Sequence, residues 1–161
     1  MTDKIALFPI GWVESREQGP REDYWGGITC EIRLDDRQFS ADAVHGLGEF
    51  SHVEVLFYFH GVADEVVVNG LRHPRGNADW PQVGIFAQRA KLRPNKIGAT
   101  ICRLLSVDGL TLKVQGLDAL DGSPVLDIKP VMTEFLPAPG DVRQPRWSQQ
   151  LMTKYFAVEK S

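Results

Sequence analysis

From position 28 to 34, Ile28, Cys30, Ile32 and Leu34 alternate with Thr29, Glu31 and Arg33. Successive side chains of a strand point to opposite faces, so this period of two predicts a half-buried strand. Residues 53–59 are an almost unbroken apolar and aromatic run, which predicts a central strand covered on both faces. Residues 5–13 are apolar around Pro9, and that proline predicts an edge or a bulge in a strand there. Residues 83–90 and 124–128 predict two further strands. Residues 104–107 and 110–114 flank Asp108-Gly109, a two-residue hairpin signal. Ser40 predicts the cap of a short helix over 41–47, with Asp42 near its positive end. Near the C-terminus Pro145 suits a first helical turn. Trp147, Leu151 and Tyr155 then recur at i, i+4 and i+8 beside Met152 and Phe156, which is one apolar helical face. Two polar loops, 15–27 and 69–81, hold five glycines and three prolines. The expectation is a mainly β chain, a small single-domain β-barrel with short helical insertions and a C-terminal helix within 144–160. The strand–helix alternation of a doubly wound sheet is absent.

Composition narrows the function. A length of 161 residues suits one domain, and 43% hydrophobic residues supply a core. The net charge of -3 argues against a protein that coats DNA or RNA by charge alone, although a local basic patch is compatible with it. Cys30 and Cys102 are too few for a disulfide framework or a zinc site, and read as core thiols in a reducing compartment. Residues 1–8 lack the basic stretch and long apolar run of a signal peptide, and no apolar run approaches the ~20 residues of a membrane helix. A soluble cytoplasmic protein with no membrane partner is expected.

Several chemical motifs fail on inspection. Gly46-Leu47-Gly48 opens like a dinucleotide fingerprint, but Ser51 replaces the third glycine and a helix precedes it. There is no phosphate-binding P-loop. His52-Val53-Glu54 matches half of a nucleobase-deaminase signature without its Pro-Cys-x-x-Cys partner. His45, His52, His60 and His73 do not fall at metal spacing on one helix, so no metal site is expected.

Four segments carry a positive signal. The first is Pro9-Ile10-Gly11-Trp12-Val13 followed by Gly19-Pro20-Arg21. The second runs over 43–52 and into Val55-Leu56-Phe57-Tyr58-Phe59-His60. The third is Val83-Gly84-Ile85-Phe86-Ala87-Gln88-Arg89, then Arg93-Pro94-Asn95-Lys96-Ile97-Gly98. The fourth is Leu120-Asp121-Gly122-Ser123-Pro124, ending in Asp127-Ile128-Lys129-Pro130. Together, in this order, they resemble the TsaA-like (YaeB/TrmO) family of S-adenosylmethionine-dependent tRNA methyltransferases, over most of residues 5–137. The resemblance implies a single-domain β-barrel that dimerises and a cofactor bound without a Rossmann fold. It also implies an acceptor at N6 of threonylcarbamoyladenosine beside the tRNA anticodon. By the same resemblance, cofactor contacts fall at Pro20, Arg21 and Glu22, at His60 and Gly61, at Arg89, near Ala99, and at Asp118, Ala119, Leu120 and Asp121.

The chemistry of these groups fits that ligand. Arg21 or Arg89 suits a carboxylate, and Asp118 or Asp121 suits an ammonium or a ribose diol. Methyl transfer to N6 is aided by a base within hydrogen-bond reach, for which His60 and Asp127 are the candidates. The 72–80 loop, with Arg72, Arg75 and Trp80, and the 89–96 segment carry residue types that meet phosphates and unstacked bases of an anticodon loop. The chain departs from the family at Pro20-Arg21-Glu22, where Pro-Arg-Gln is usual, and at the following Asp23-Tyr24-Trp25-Gly26-Gly27. Arg89-Ala90-Lys91-Leu92 and Lys96 are also atypical. These departures leave two alternatives open: another RNA or small-molecule acceptor, or a non-catalytic S-adenosylmethionine-binding module.

Overall fold

The computed structural model describes residues 3–160. Its eight strands are β1 (Gly11–Glu14), β2 (Thr29–Leu34), β3 (His52–Tyr58), β4 (Leu71–Arg72), β5 (Val83–Gly84), β6 (Ile97–Asp108), β7 (Thr111–Gln115) and β8 (Pro124–Pro130). Six of them close an antiparallel barrel in the order β1-β2-β7-β6-β3-β8, while β4 and β5 pair as a separate two-stranded ribbon. Closure leaves the barrel without an unpaired edge.

The barrel interior is built by alternation. Val13, Ile32, Val53, Val55, Phe57, Leu112, Val114 and Val125 are fully buried in one cluster. Each such side chain contributes about 1.5–3 kcal/mol relative to leaving it in water. Phe57 meets Phe59 edge to face at 5.2 Å, and a Cβ on Gly98 would lie 2.5 Å from the Phe57 ring, so that glycine makes room for the aromatic. β3 is not covered equally on both faces, as its apolar run predicts: Val53, Val55 and Phe57 face inward, while Glu54, Leu56 and Tyr58 are only half-buried on the outside. The run is continuous because a partly shielded outer face also takes apolar residues.

Two bulges shape the barrel. One breaks the β6–β7 register between Leu104 and Ser106, where the longest strand turns from one neighbour to the next. The other shifts β3 against β8, so that Val125 stays opposite inward-facing Phe57 while Asp127 sits opposite outward-facing Leu56. The hairpin is present, but its two loop residues are Gly109 and Leu110 rather than Asp108 and Gly109. Gly109 has φ +56 at the first loop position, as type II′ turns require.

Other elements are shorter than the pattern predicts. The apolar run at 5–10 stays outside the ladder, with Ile5 87% and Phe8 77% exposed, and pairing starts only at Gly11 beyond Pro9. Ser40 makes no side-chain cap bond, and the predicted helix is two 3-10 turns, Ala41–Val44 and Leu47–Glu49, broken at left-handed Gly46. The strand predicted at 83–90 ends at Gly84, and a 3-10 turn, Ile85–Ala87, follows. There the Gln88 side-chain amide donates to the carbonyls of Arg72 and Val83 at 3.2 and 3.0 Å, tying the turn to the ribbon. The C-terminal helix α1 (Arg146–Met152) also stops early. The carbonyls of Lys154 and Tyr155 accept from the backbone N–H of Tyr24 and Trp25 at 2.9 and 2.8 Å, and so leave the helical pattern.

Candidate functional site

Of the residues singled out in the sequence, Arg21, His60, Arg89, Ala99, Asp118 and Asp121 take part in hydrogen bonds that tie the strand ends to the loops. Asp118 follows β7 and is half-buried. Its Oδ1 accepts from the hydroxyl of Thr100, which lies on an inward-facing position of β6. Its Oδ2 accepts from the phenol of Tyr155 at 2.5 Å. Burial and the charge of Asp118 push the ionisation of that phenol far up, so it remains a donor. Arg89 donates to the carbonyl of Ala99, one residue before Thr100.

The 15–23 loop joins this group from the other side. Arg21 donates from Nε to the Asp23 carbonyl at 3.2 Å and pairs with Glu159 at 3.2 Å and Glu17 at 3.6 Å. Its guanidinium stands 6.0 Å from the ring of buried Trp25. The Glu17 carbonyl accepts from the Asp121 N–H at 2.8 Å, and Asp121 Oδ1 accepts from the Ser15 N–H at 2.9 Å. Next in the chain, the Ser123 hydroxyl lies 3.3 Å from His60 Nδ1, with Ser123 itself buried. Arg21, Asp118, Asp121 and His60 therefore belong to connected segments although they are far apart in sequence.

Other candidates stand differently. Pro20, Glu22 and Gly61 are exposed at the surface of these loops. The side chain of Ala119 is part of the barrel core, which leaves only its backbone for a ligand; Leu120 is half-buried, and its carbonyl closes the turn to Ser123. Asp127 is set apart by the β8 bulge, outward beside Leu56, with its carboxylate held by Lys129 at 2.5 Å and by the Ile128 N–H at 2.9 Å. Of the two candidate bases, His60 is the one beside the 118–123 segment.

Arg75 departs most from the sequence-based expectation. It is not free for phosphate: its Nη2 donates to the Glu22 carbonyl at 2.8 Å and to Asp23 at 2.9 Å, so it ties the 72–80 loop to the 20–23 loop. Trp80 is engaged too, donating from Nε1 to Gln150 at 3.1 Å. Arg72 makes only a long contact, 3.4 Å to the His73 carbonyl. Lys96 is buried against the Val62 carbonyl at 2.9 Å and Asp64 at 2.5 Å, and it fastens the loop after β3 rather than facing a ligand.

The sequence reading missed Thr100, Tyr155 and Ser123 as members of this network. Thr100 and Tyr155 reach Asp118 across 18 and 37 residues, and no local pattern reports such contacts. Two open depressions lie nearby: a groove of about 740 Å³ that includes Ser15, Glu17 and Asp121, and a smaller one of about 300 Å³ that includes Gly26, Gln115 and Phe156. Neither contains Asp118 or Arg89. Among the described residues no group of three or more His, Cys, Asp or Glu side chains is placed to hold a metal ion, and no helix is long and apolar enough to cross a membrane.

An antiparallel six-stranded barrel with ligand-type residues gathered at its loops defines a class of barrel protein distinct from the Rossmann type. Residues 12–135 match the tRNA-methyltransferase O N-terminal domain family, and the chain belongs to that family. It is 40% identical over 131 residues to a protein of Methanothermobacter thermautotrophicus named a probable S-adenosyl-L-methionine-binding protein, covering 79% of this chain and 90% of the relative. It is 44% identical over 115 residues to the Escherichia coli tRNA (adenine(37)-N6)-methyltransferase, covering 66% of this chain. The crystal structure of TrmO from Pseudomonas aeruginosa superposes with a TM-score of 0.68 at 31% identity, over 88% of this chain. The chain spans 48% of the Escherichia coli enzyme and 62% of the Pseudomonas aeruginosa chain.

Proposed function

We propose that this protein binds S-adenosylmethionine at the network around Asp118 and Arg21 and methylates N6 of threonylcarbamoyladenosine beside the anticodon of tRNA. Membership of the family, whose relatives are named for this cofactor and for tRNA (adenine(37)-N6) methylation, carries the reading. The residues present suit the cofactor. Arg89 offers a guanidinium fork for a carboxylate, and Arg21 offers one by giving up its contact with Glu159 or Glu17; Asp118 and Asp121 offer acceptors for an ammonium or ribose, and the buried Trp25 Nε1 has no hydrogen-bond partner among the described residues. When bound, the cofactor supplies an electrophilic methyl group. The protein's part is to orient the acceptor, where good alignment contributes on the order of 7–11 kcal/mol at best. His60 then takes the N6 proton, its ring oriented by Ser123.

The anticodon loop is proposed to approach across the 72–80 and 89–96 segments, with Arg72 and Lys91 as phosphate contacts. A cytoplasmic homodimer completes the reading. Light scattering that gives 18.0 kDa across a wide concentration range would refute the dimer. A second reading, cofactor binding without transfer, is favoured by one observation: the relative matched over 90% of its length is named for binding alone.

One experiment separates the two. The protein is incubated with methyl-labelled cofactor and bulk tRNA lacking the modification, and the nucleosides are analysed by mass spectrometry. Label in N6-methylated threonylcarbamoyladenosine supports the enzyme. Label in another nucleoside corrects the acceptor. Calorimetric binding of cofactor without label in any RNA favours the binding module, and no binding at millimolar cofactor sinks both readings.

A further inference from the structure

The segment after α1 crosses the site and does not simply trail from it. Its carbonyls at Lys154 and Tyr155 accept from the backbone of Tyr24 and Trp25. Gly26 and Gly27 make the crossing possible. A Cβ on Gly26 would lie 2.0 Å from the Phe156 carbonyl oxygen, and one on Gly27 would lie 3.2 Å from Val158. No side chain fits at position 26 with the tail in place. Glu159 then reaches Arg21 at 3.2 Å.

The tail brings one group to the interior of the site. The Tyr155 phenol donates to one oxygen of Asp118, while Thr100 donates to the other. Two donors, one on each oxygen, restrain that carboxylate. An ionised carboxylate has about four acceptor positions, so two remain for a ligand. A group held in this way needs no reorganisation when the ligand arrives, which is where orienting contacts gain affinity.

We propose that Tyr155 is a positioning residue for the cofactor, which locks Asp118 so that its remaining lone pairs meet the ammonium or ribose of S-adenosylmethionine, with the 154–158 tail as one wall of the site. This rests on the assignment of Asp118 to the cofactor site.

The test is calorimetric titration of the full chain with S-adenosylmethionine, in four forms beside wild type. Tyr155→Phe keeps the ring and removes the donor; affinity is expected to fall about tenfold. Asp118→Asn is expected to weaken binding at least as much. The double variant is expected to bind no more weakly than Asp118→Asn alone, because the phenol acts through the carboxylate. Gly26→Ala forces the tail away without touching Asp118 and is expected to lose affinity as Tyr155→Phe does. Additive losses in the double variant would overturn the proposal. So would wild-type affinity in Tyr155→Phe together with a lowered melting temperature, which marks a purely structural contact. If Asp118→Asn weakens binding while Tyr155→Phe and Gly26→Ala do not, the proposal fails and the site assignment stands. If Asp118→Asn binds like wild type, the assignment itself fails and takes the proposal with it.

Discussion

The barrel interior and the loop network at its rim are held together by different physics. Inside, Val53, Val55 and Phe57 of β3 share one buried cluster with Ile32 of β2, Val114 of β7 and Val125 of β8, and its contacts are mainly apolar and non-directional. At the rim, Arg21, Arg75, Asp118 and Tyr155 are joined by charged and hydroxyl hydrogen bonds with fixed directions. The interior tolerates variation in the residue but not in its volume or polarity. The rim tolerates neither a shorter reach nor a changed charge, and it is stabilised only where both partners are present. Stability is therefore concentrated in the interior, and the proposed ligand chemistry at the rim.

The largest expected effect tests the interior. Phe57→Ala leaves a cavity beside Gly98 and is expected to cost about 3–5 kcal/mol, lowering the melting temperature by roughly 6–20 °C for a chain of this size. Calorimetric melting checks it. A shift of less than 2 °C, taken as about the smallest change for 1 kcal/mol, would mean that the core is not the main source of stability.

The next tests whether the rim is separable from the interior. Arg21→Ala and Arg89→Ala are each expected to weaken cofactor binding about ten- to hundredfold, since a charge-assisted bond contributes roughly 1.5–3 kcal/mol. Melting temperatures should stay near wild type, because both arginines lie outside the buried cluster. Arg→Lys is expected to restore binding only in part, for lack of the fork. Wild-type affinity in both alanine variants would remove these arginines from the site.

A smaller effect separates the two arginines of the 72–80 loop. Arg75→Ala releases the 20–23 loop and is expected to weaken cofactor binding severalfold. Arg72→Ala is expected to spare the cofactor and to reduce tRNA affinity with a shallower salt slope. Filter binding at several salt concentrations, beside cofactor titration, distinguishes them.

Another effect lies at alkaline pH. Burial pushes the thiols of Cys30 and Cys102 up to about 12. An unfolded thiol ionises near its ordinary value of 9.0, so the folded state loses relative stability as pH rises from about 9 towards 12. Denaturant melts at pH 8 and pH 10.5 should show that decline, and Cys30→Ser with Cys102→Ser should flatten it.

The same division explains what the sequence disclosed. Alternation at 28–34 located β2, because inward and outward environments repeat every second residue. The glycine beside Asp108 located the hairpin, because a positive φ has a chemical signature. The family was legible in its segments, through motifs such as Asp121-Gly122-Ser123-Pro124, but the contacts between those segments were not. Nothing local distinguishes Arg75, which serves the 20–23 loop, from Arg72, which does not. Tyr155 continued a helical period, and only the bonds of the Lys154 and Tyr155 carbonyls to Tyr24 and Trp25 show why the helix ends before it.

The barrel has a seam. β1 meets β8 through two residue pairs, Gly11 with Val125 and Trp12 with Pro124, whereas β3 meets β6 through seven. Three further backbone bonds, from Ile10, Val13 and Gly122, reinforce the join. In hydrogen–deuterium exchange the amides of Ile10, Val13 and Gly122 should therefore lose protection before those of β3, as a sub-global opening. Since Gly122 sits between Asp121 and Ser123, each such opening also loosens the segment that orients His60, and a ligand bound there should slow exchange at the seam.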